Sequence, residues 1–210
     1  MKALLLADIQ HDFLRGGSLA VPDGNAIVPL VNALQPHVDL VIAIQDWHPA
    51  DHKSFASRHP GRKCYDTIDL HGLSQILWPD HCVQGSLGAD FSAELHLNRV
   101  EAIIRKGTNP EVDSYSAFFD NAHRRSTGLT GYLRERQVTE VYLAGLAGDY
   151  CVYYSALDSL QAGFATYFIE DATRPINPAA FAQCLRQIQA RGGHVVQSAS
   201  LLTPAPGMPV

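Results

Sequence analysis

Short apolar runs alternate along the chain with segments in which apolar residues recur at helical spacing. The runs predict six strands, at residues 2–7, 38–44, 100–105, 140–145, 165–171 and 192–198. The helical spacing predicts helices at residues 25–38, 127–138, 149–162 and 178–191. Strands that alternate with helices imply parallel pairing. The predicted fold class is therefore α/β: a three-layer sandwich with a central, mostly parallel six-stranded sheet flanked by helices.

The stretch from residue 46 to residue 99 interrupts this alternation. It has little periodicity, and it holds six of the ten histidines and both tryptophans. A long irregular segment inside a compact domain is often functional. We therefore predict a single domain over residues 1–210, with a metal-binding loop region at about 46–99.

Composition and charge exclude several classes of function. Lys and Arg total 16 of 210 residues, the net charge is −5, and the basic residues form no stripe, so no nucleic-acid partner is expected. We find neither an apolar run of membrane-spanning length nor a signal peptide. The four cysteines are scattered without a CxxC pair, which indicates free thiols rather than a disulfide framework. We expect a cytoplasmic protein.

Chemically active residues follow the ends of the predicted strands. Asp8 ends the first strand, Asp46 and His48 follow the second, Lys106 the third, and the loop after the fourth leads to Cys151. In an open parallel sheet, ligands bind outside the carboxyl ends of the strands. We therefore expect these side chains to meet at one edge of the sheet.

Cys151 is the candidate nucleophile. With Asp149 as the predicted N-cap, Cys151 lies in the first turn of a helix, where free N–H groups stabilise a thiolate and can bind an oxyanion. Lys106 would lower the thiol pKa further, and Asp8 would exchange the proton as acid and base. The alternatives are a buried structural cysteine, a solvated Lys106, and Asp12 in place of Asp8.

Asp46 and His48 are the candidate metal ligands. At positions i and i+2 of an extended segment they project to the same side, and His81 can supply a third ligand from the long loop. This set suits Zn²⁺, Fe²⁺ or Mn²⁺, with water in the remaining positions. His52 is either a fourth ligand or lies just outside the ligand set. The alternative is a solvated, histidine-rich loop.

Three aromatic residues flank these motifs: Phe13, Trp78 and Tyr115. Aromatic rings beside a thiol and a metal can sandwich a flat ring. Each of them is equally well explained as a core residue.

The chain resembles the nicotinamidase family of the isochorismatase-like cysteine hydrolase superfamily. The resemblance rests on ADIQHDF, QDWHPADH, LWPDHCVQGS, RKGTNPEVDSYSAF and GLAGDYCVYYSA, which stand in family order between residues 7 and about 156. It implies the isochorismatase-like hydrolase fold. It also implies hydrolysis of nicotinamide to nicotinate and ammonia in NAD salvage, and action on pyrazinamide.

The resemblance also implies roles for individual residues. It implies a catalytic triad of Asp8, Lys106 and Cys151, and a metal site of Asp46, His48 and His81. The ion expected is zinc, with iron or manganese as alternatives. Phe13 and Trp78 match residues that embrace the substrate ring, and Tyr115 matches a pocket aromatic. The backbone N–H groups of Ala147 and Cys151 would form the oxyanion hole, next to a cis Leu146–Ala147 bond.

Two positions depart from the family pattern. Gly148 stands where relatives usually carry Thr or a similar residue, which puts one hydroxyl contact behind the oxyanion loop in doubt, and His11 stands where Asn is common. The competing functions are another amide hydrolase of the superfamily and a non-catalytic metal-binding protein on the same fold. The sequence leaves a homo-oligomer open.

Overall fold

A wholly parallel, six-stranded sheet forms the centre of the computed structural model, which describes residues 1–202. Its strands are β1 (Lys2–Ala7), β2 (Leu40–Asp46), β5 (Val100–Lys106), β6 (Glu140–Leu146), β7 (Ala165–Arg174) and β8 (His194–Val196). Two further strands, β3 (Thr67–Leu70) and β4 (Leu73–Ile76), form a separate two-stranded sheet. The α-helices are α1 (Val28–Leu34), α2 (Leu129–Glu135), α3 (Cys151–Gln161), α4 (Pro178–Ala190) and α5 (Ala199–Leu202).

The strand order of the central sheet is β5-β2-β1-β6-β7-β8. The chain therefore builds outward from β1 in one direction, through β2 to β5, and then returns to β6 on the other side of β1. Such a reversal opens a crevice at the carboxyl ends of the two strands beside it, here β1 and β6. Asp8 follows β1, and the loop after β6 leads to Cys151. The topology thus confirms that both residues arrive at one edge of the sheet.

Apolar side chains cover both faces of the sheet, as the continuous apolar runs predict. Alternate residues of β1 enter opposite cores: Leu4 and Leu6 pack on the side of α1, whereas Leu5 packs on the side of α2 and α3. The three-layer α/β prediction is confirmed. Among residues 1–202, no helix is long and apolar enough to cross a membrane.

Several predicted boundaries need correction. The predicted helix at 25–38 is a short α1 between 3-10 turns at Gly24–Ile27 and Gln35–His37, since Pro29 and Pro36 restrict the chain. The second strand begins two residues later than predicted and runs to Asp46. The segment 46–99 contains the antiparallel hairpin of β3 and β4. The prediction of irregular structure there missed this hairpin because its strands are short and half-exposed.

Candidate active site

Lys106 occupies the centre of a buried polar cluster at the carboxyl edge of the sheet. Its Nζ lies 2.7 Å from Asp46 Oδ1, 2.9 Å from Asp8 Oδ2 and 3.5 Å from Cys151 Sγ, and it donates to the Ser114 carbonyl at 3.1 Å. Burial alone would lower the pKa of Lys106, but the carboxylates of Asp46 and Asp8 raise it well above its usual range. Lys106 is therefore a fixed positive charge rather than a solvated strand-end residue.

Asp8 is fully buried and holds a left-handed backbone conformation, with φ of 52°, directly after β1. Although its Oδ2 is near Lys106, neither carboxylate oxygen accepts a hydrogen bond of good geometry from the polar groups of residues 1–202. Burial raises the pKa of Asp8 to about 6, and the ammonium of Lys106 limits that rise. A carboxylate with this pKa can both take and return a proton near neutral pH.

Cys151 is buried and is the first residue of α3. Burial raises the pKa of its thiol well above the ordinary value; Lys106 opposes this, and the neighbouring Asp8 and Asp46 add to it. The predicted contribution of Lys106 has the expected sign, but burial and the two carboxylates outweigh it, so the net direction of the pKa shift is opposite to the predicted one. This arrangement favours proton transfer to Asp8 as the sulfur attacks.

Asp149 is not the N-cap of α3. Tyr150 holds that position without a side-chain cap, and the Asp149 carboxylate instead accepts from the backbone N–H groups of Ile176 and Asn177 at 2.9 and 2.8 Å. The N-cap prediction is wrong because a partner 27 residues further along the chain satisfies this carboxylate.

The loop between β6 and α3 leaves two backbone donors free. The Leu146–Ala147 peptide bond is cis, as the family resemblance implies. Ala147 N–H lies beyond the end of β6, and Cys151 N–H belongs to the first turn of α3, where no intrahelical acceptor exists. Within the described chain, neither N–H donates to a backbone or side-chain acceptor. Both remain available to an oxyanion.

Asp46, His48 and His81 converge next to this cluster, and all three are buried. His48 Nε2 lies 3.2 Å and His81 Nε2 3.6 Å from Asp46 Oδ2. Each ring turns its Nδ1 towards a carbonyl oxygen, that of Gly107 or Pro79, so Nε2 is left as the acceptor nitrogen. His48 and Lys106 together hold the pKa of Asp46 well below its usual range, against the effect of burial.

This donor set fits a divalent ion. A carboxylate and two neutral imidazoles, each ring fixed by a backbone carbonyl, form a common ligand set for zinc. His48 Nε2 is buried and has no hydrogen-bond partner in the described part of the chain, as expected of a nitrogen that coordinates a metal ion. Gly107 makes the approach possible, since a Cβ there would lie 2.4 Å from His48 Cε1.

His52 and Asp113 border the same space. His52, His48 and Asp113 bring their ligand atoms within 4.8 Å of one another. Nδ1 of His52 lies 2.7 Å from Ser54 Oγ, its Nε2 is buried and unpaired within residues 1–202, and burial lowers its pKa to about 4. The role of His52 thus stays open. Sequence reasoning missed Asp113, although it stands in the RKGTNPEVDSYSAF segment.

The predicted aromatic residues line a pocket beside the thiol. Trp78 Nε1 donates to Tyr115 Oη at 3.3 Å, and Trp78 packs edge-on against Tyr150. Tyr150 was not singled out from the sequence. The pocket is lined by Phe13, Leu19, Asp46, Trp78, His81, Asp113, Tyr115, Ala147, Tyr150, Cys151 and Ile176.

Asp12 and Gln10 support the site from behind. The Asp12 carboxylate accepts from the backbone N–H groups of Cys82 at 2.7 Å and Ser18 at 3.3 Å, so it braces the loop next to His81. The Gln10 amide pairs with both backbone groups of Asp46 at 2.8 Å. Sequence reasoning raised Asp12 only as a rival to Asp8 and missed Gln10, whose buried amide gives no motif signal.

The fold and this geometry define a class: a parallel α/β protein whose buried thiol, carboxylate and ammonium lie beside a metal-type ligand set. The family model of the isochorismatase domain matches residues 2–200. The chain is 47% identical over 197 residues to the nicotinamidase of Escherichia coli strain K12, which covers 91% of this chain and 92% of that protein.

Solved structures agree with these matches. The Acinetobacter baumannii nicotinamidase/pyrazinamidase superposes with a TM-score of 0.93 at 44% identity, covering 96% of this chain and 98% of that one. The pyrazinamidase of Pyrococcus horikoshii, solved in complex with zinc, gives a TM-score of 0.78 at 36% identity, with 93% and 98% covered. The chain therefore belongs to the isochorismatase-domain family and, within it, to the nicotinamidases.

Proposed function

We propose that this protein is a metal-dependent cysteine amidohydrolase that converts nicotinamide and water to nicotinate and ammonia. The single observation that carries the proposal is the position of Lys106, whose ammonium contacts Asp8, Asp46 and Cys151 at once. It joins the thiol and its base to the candidate metal ligands Asp46, His48 and His81, and Asp46, His81 and Cys151 line one pocket. A carboxamide with a ring nitrogen fits that combination.

In the first half-reaction, Asp8 takes the proton of Cys151 as the sulfur attacks the carboxamide carbon. The new oxyanion accepts from the N–H groups of Ala147 and Cys151. As the C–N bond breaks, Asp8 gives its proton to the leaving nitrogen, and ammonia departs. A thioester between Cys151 and the nicotinoyl group remains.

In the second half-reaction, Asp8 takes a proton from water, and the hydroxide attacks the thioester carbon. The oxyanion hole acts again, the C–S bond breaks, and the sulfur recovers a proton from Asp8. Nicotinate is released. Throughout, the buried ammonium of Lys106 balances the negative charges that build up on Asp8 and Cys151, because charges attract more strongly in the protein interior than in water.

Asp46, His48 and His81 would hold the divalent ion. When bound, that ion supplies a Lewis-acidic contact for the pyridine nitrogen and so orients the ring. Zinc is the proposed ion, with iron and manganese as alternatives, and the zinc bound by the Pyrococcus horikoshii pyrazinamidase supports this choice. Phe13, Trp78 and Tyr115 would enclose the ring, and pyrazinamide, which keeps a ring nitrogen at the same position, is a proposed second substrate.

The wider role follows from the reaction. Conversion of nicotinamide to nicotinate belongs to NAD salvage, and we propose that the enzyme serves it in the cytoplasm. The single domain over residues 1–210 stays a prediction, and residues 203–210 lie outside the described part of the chain. A homo-oligomer is left open.

The test is ammonia release from nicotinamide by the purified protein, with and without a chelator. We expect turnover that falls when metal is removed and returns when zinc is added. Absence of ammonia release from the zinc-loaded protein would overturn the proposal. Turnover on other small amides but not on nicotinamide would favour a different amide hydrolase of the family.

A further inference from the structure

The loop that follows β7 is fastened to the loop that carries the nucleophile. The carboxylate of Asp149, two residues before Cys151, accepts from two consecutive backbone N–H groups, those of Ile176 and Asn177. A third hydrogen bond runs in the opposite direction, from Gly148 N–H to the Arg174 carbonyl at 2.8 Å. The two loops are thus tied on both sides of Ile176.

The Asp149 carboxylate is well placed to fix this loop. The residue is 6% exposed, and its two acceptor bonds go to a segment with no strand partner of its own. Bonds from backbone N–H groups to a carboxylate are charge-assisted and stronger than bonds between neutral groups. Asn177 is the N-cap of α4, since its side chain accepts from the N–H groups of Ala179 and Ala180. The position of the loop is therefore set from both ends.

Ile176 is the apolar residue that this loop presents to the pocket. It lines the same cavity as Trp78 and Cys151, and it packs against the hydrophobic core that includes Trp78. Its side chain is half-buried, as expected of a residue that forms a wall rather than a core contact. No other residue of the segment 174–177 lines this cavity.

We propose that Ile176 is a specificity-determining residue and that Asp149 is the positioning residue that holds it in place; this inference rests on the proposed function. In this arrangement Ile176 limits the size of the ring that reaches Cys151. Asp149 sets the distance between that wall and the nucleophile, because one carboxylate joins the two loops. Ligands larger than an unsubstituted ring are excluded by contact with Ile176.

The test compares kcat/KM for nicotinamide with kcat/KM for ring-methylated nicotinamides, using the zinc-loaded full chain. Ile176→Ala should lower the preference for nicotinamide over at least one methylated isomer by about tenfold or more, the usual effect of one small apolar group in a pocket. Asp149→Ala should shift the preference towards the same isomer. Asp149→Asn keeps one acceptor oxygen and should fall between Asp149→Ala and wild type.

Asp171→Ala is the matched control. Its carboxylate also joins two segments, since it accepts from Ser198 N–H at 2.8 Å and Ser198 Oγ at 2.6 Å, but Asp171 does not line the pocket. We expect wild-type preference from this variant. A general loosening of the fold would alter both Asp variants alike, which would overturn the positioning role of Asp149.

The possible failures are distinguishable. A wild-type protein that does not hydrolyse nicotinamide would overturn the proposed function, and the inference with it. An active wild type with an Ile176→Ala variant of unchanged preference for every isomer would overturn the inference alone. If Asp149→Ala does not fold, Asp149→Asn and Ile176→Ala carry the test.

Discussion

Lys106 and Asp46 form a direct bond between the two halves of the site: Lys106 Nζ donates to Asp46 Oδ1 at 2.7 Å. The other oxygen of Asp46, Oδ2, faces His48 and His81. One oxygen of the Asp46 carboxylate therefore accepts from the Lys106 ammonium, and the other lies next to the two candidate metal-binding histidines. The carboxyl ends of β5 and β2 thus connect the proposed chemistry at Cys151 to the proposed ring-binding ion.

The first prediction concerns Lys106. Replacing it with Ala leaves the carboxylates of Asp8 and Asp46 buried without their shared cation, and breaking such a pair typically costs about 3–5 kcal/mol. We expect Lys106→Ala to lose turnover and to unfold at a lower temperature than wild type. Thermal denaturation and kcat are the measurements. Lys63→Ala, at an exposed residue, is the control and should change neither.

The second prediction concerns the thiol. Cys151→Ala should abolish hydrolysis of nicotinamide while leaving the fold intact, because the removed group is the proposed nucleophile. Ammonia release and a circular dichroism spectrum check the two halves of this statement. The other cysteines provide matched controls: Cys64→Ala and Cys184→Ala should keep turnover. Cys82→Ala should keep most of it, although Cys82 adjoins His81. An active Cys151→Ala protein would exclude a cysteine hydrolase.

The sequence predicted the placement of the site better than its electrostatics. The ends of the strands follow from hydrophobic periodicity, and parallel pairing places Asp8, Lys106 and Cys151 at one edge of the sheet. The order of the strands, with its reversal between β1 and β6, was not predicted from the sequence. The pKa of Cys151 could not be read in this way. It depends on how deeply the thiol is buried and on how near Asp46 lies, and these are properties of packing between distant segments.

Contacts between distant segments also explain what the sequence missed. Asp149 looked like a helix cap because caps are local signals, yet its partners are Ile176 and Asn177. Gln10 bonds to Asp46, and Asp113 lies next to His48 and His52. Because these neighbours are far away along the chain, no local sequence pattern marks either residue. The hairpin of β3 and β4 escaped prediction because its four-residue strands are too short to show a period.

The third prediction separates Asp8 from Asp12. Asp8→Asn keeps the shape but removes the base, and such a loss typically costs about 10²–10⁴ in rate. Since burial raises the pKa of Asp8 to about 6, the accepting carboxylate is present above that pH and is lost as the pH falls through it. We expect kcat/KM of wild type to decline below about pH 6.

Asp12→Asn provides the control for that experiment. Both oxygens of the Asp12 carboxylate accept from backbone N–H groups, those of Cys82 and Ser18, and Asp12 does not line the pocket. The variant should therefore lose some stability yet keep turnover within about tenfold, or about 1.4 kcal/mol in barrier. Its pH profile should keep the same acid limb. A dead Asp12→Asn beside an active Asp8→Asn would show that the base has been assigned to the wrong residue.

The fourth prediction concerns the metal. Asp46→Ala and His81→Ala should lower the metal content, measured by elemental analysis, and raise KM for nicotinamide. His59→Ala is the control, because its ring is bonded to the Lys53 carbonyl and stands outside the cluster. His52→Ala decides whether His52 is a metal ligand, since unchanged metal content would place it outside the ligand set.

Benzamide tests the role of the ion in orienting the substrate. It lacks the ring nitrogen and should be a poor substrate. Hydrolysis of benzamide as fast as that of nicotinamide would contradict orientation of the ring by the ion.

The fifth prediction concerns Gly148, one of the two positions at which the sequence departs from the pattern of the family it resembles. A Cβ at this position would lie 2.7 Å from both Phe181 Cε2 and Thr173 Cγ2. The side chains of Phe181 in α4 and Thr173 in β7 therefore occupy the space that a larger residue at position 148 would need. Gly148→Thr should therefore lower the free energy of unfolding by about 1–3 kcal/mol, the usual cost of overpacking. Gly131→Thr is the control, because nothing lies within 4 Å of its Cβ position.

A second substitution tests the contact with Phe181. Phe181→Leu in the Gly148→Thr background should recover part of the lost unfolding free energy, and a double-mutant cycle in urea measures the coupling between the two positions. Equal stability of Gly148→Thr and wild type would show that the side chains of Phe181 and Thr173 yield to the added group, and would overturn the overpacking prediction.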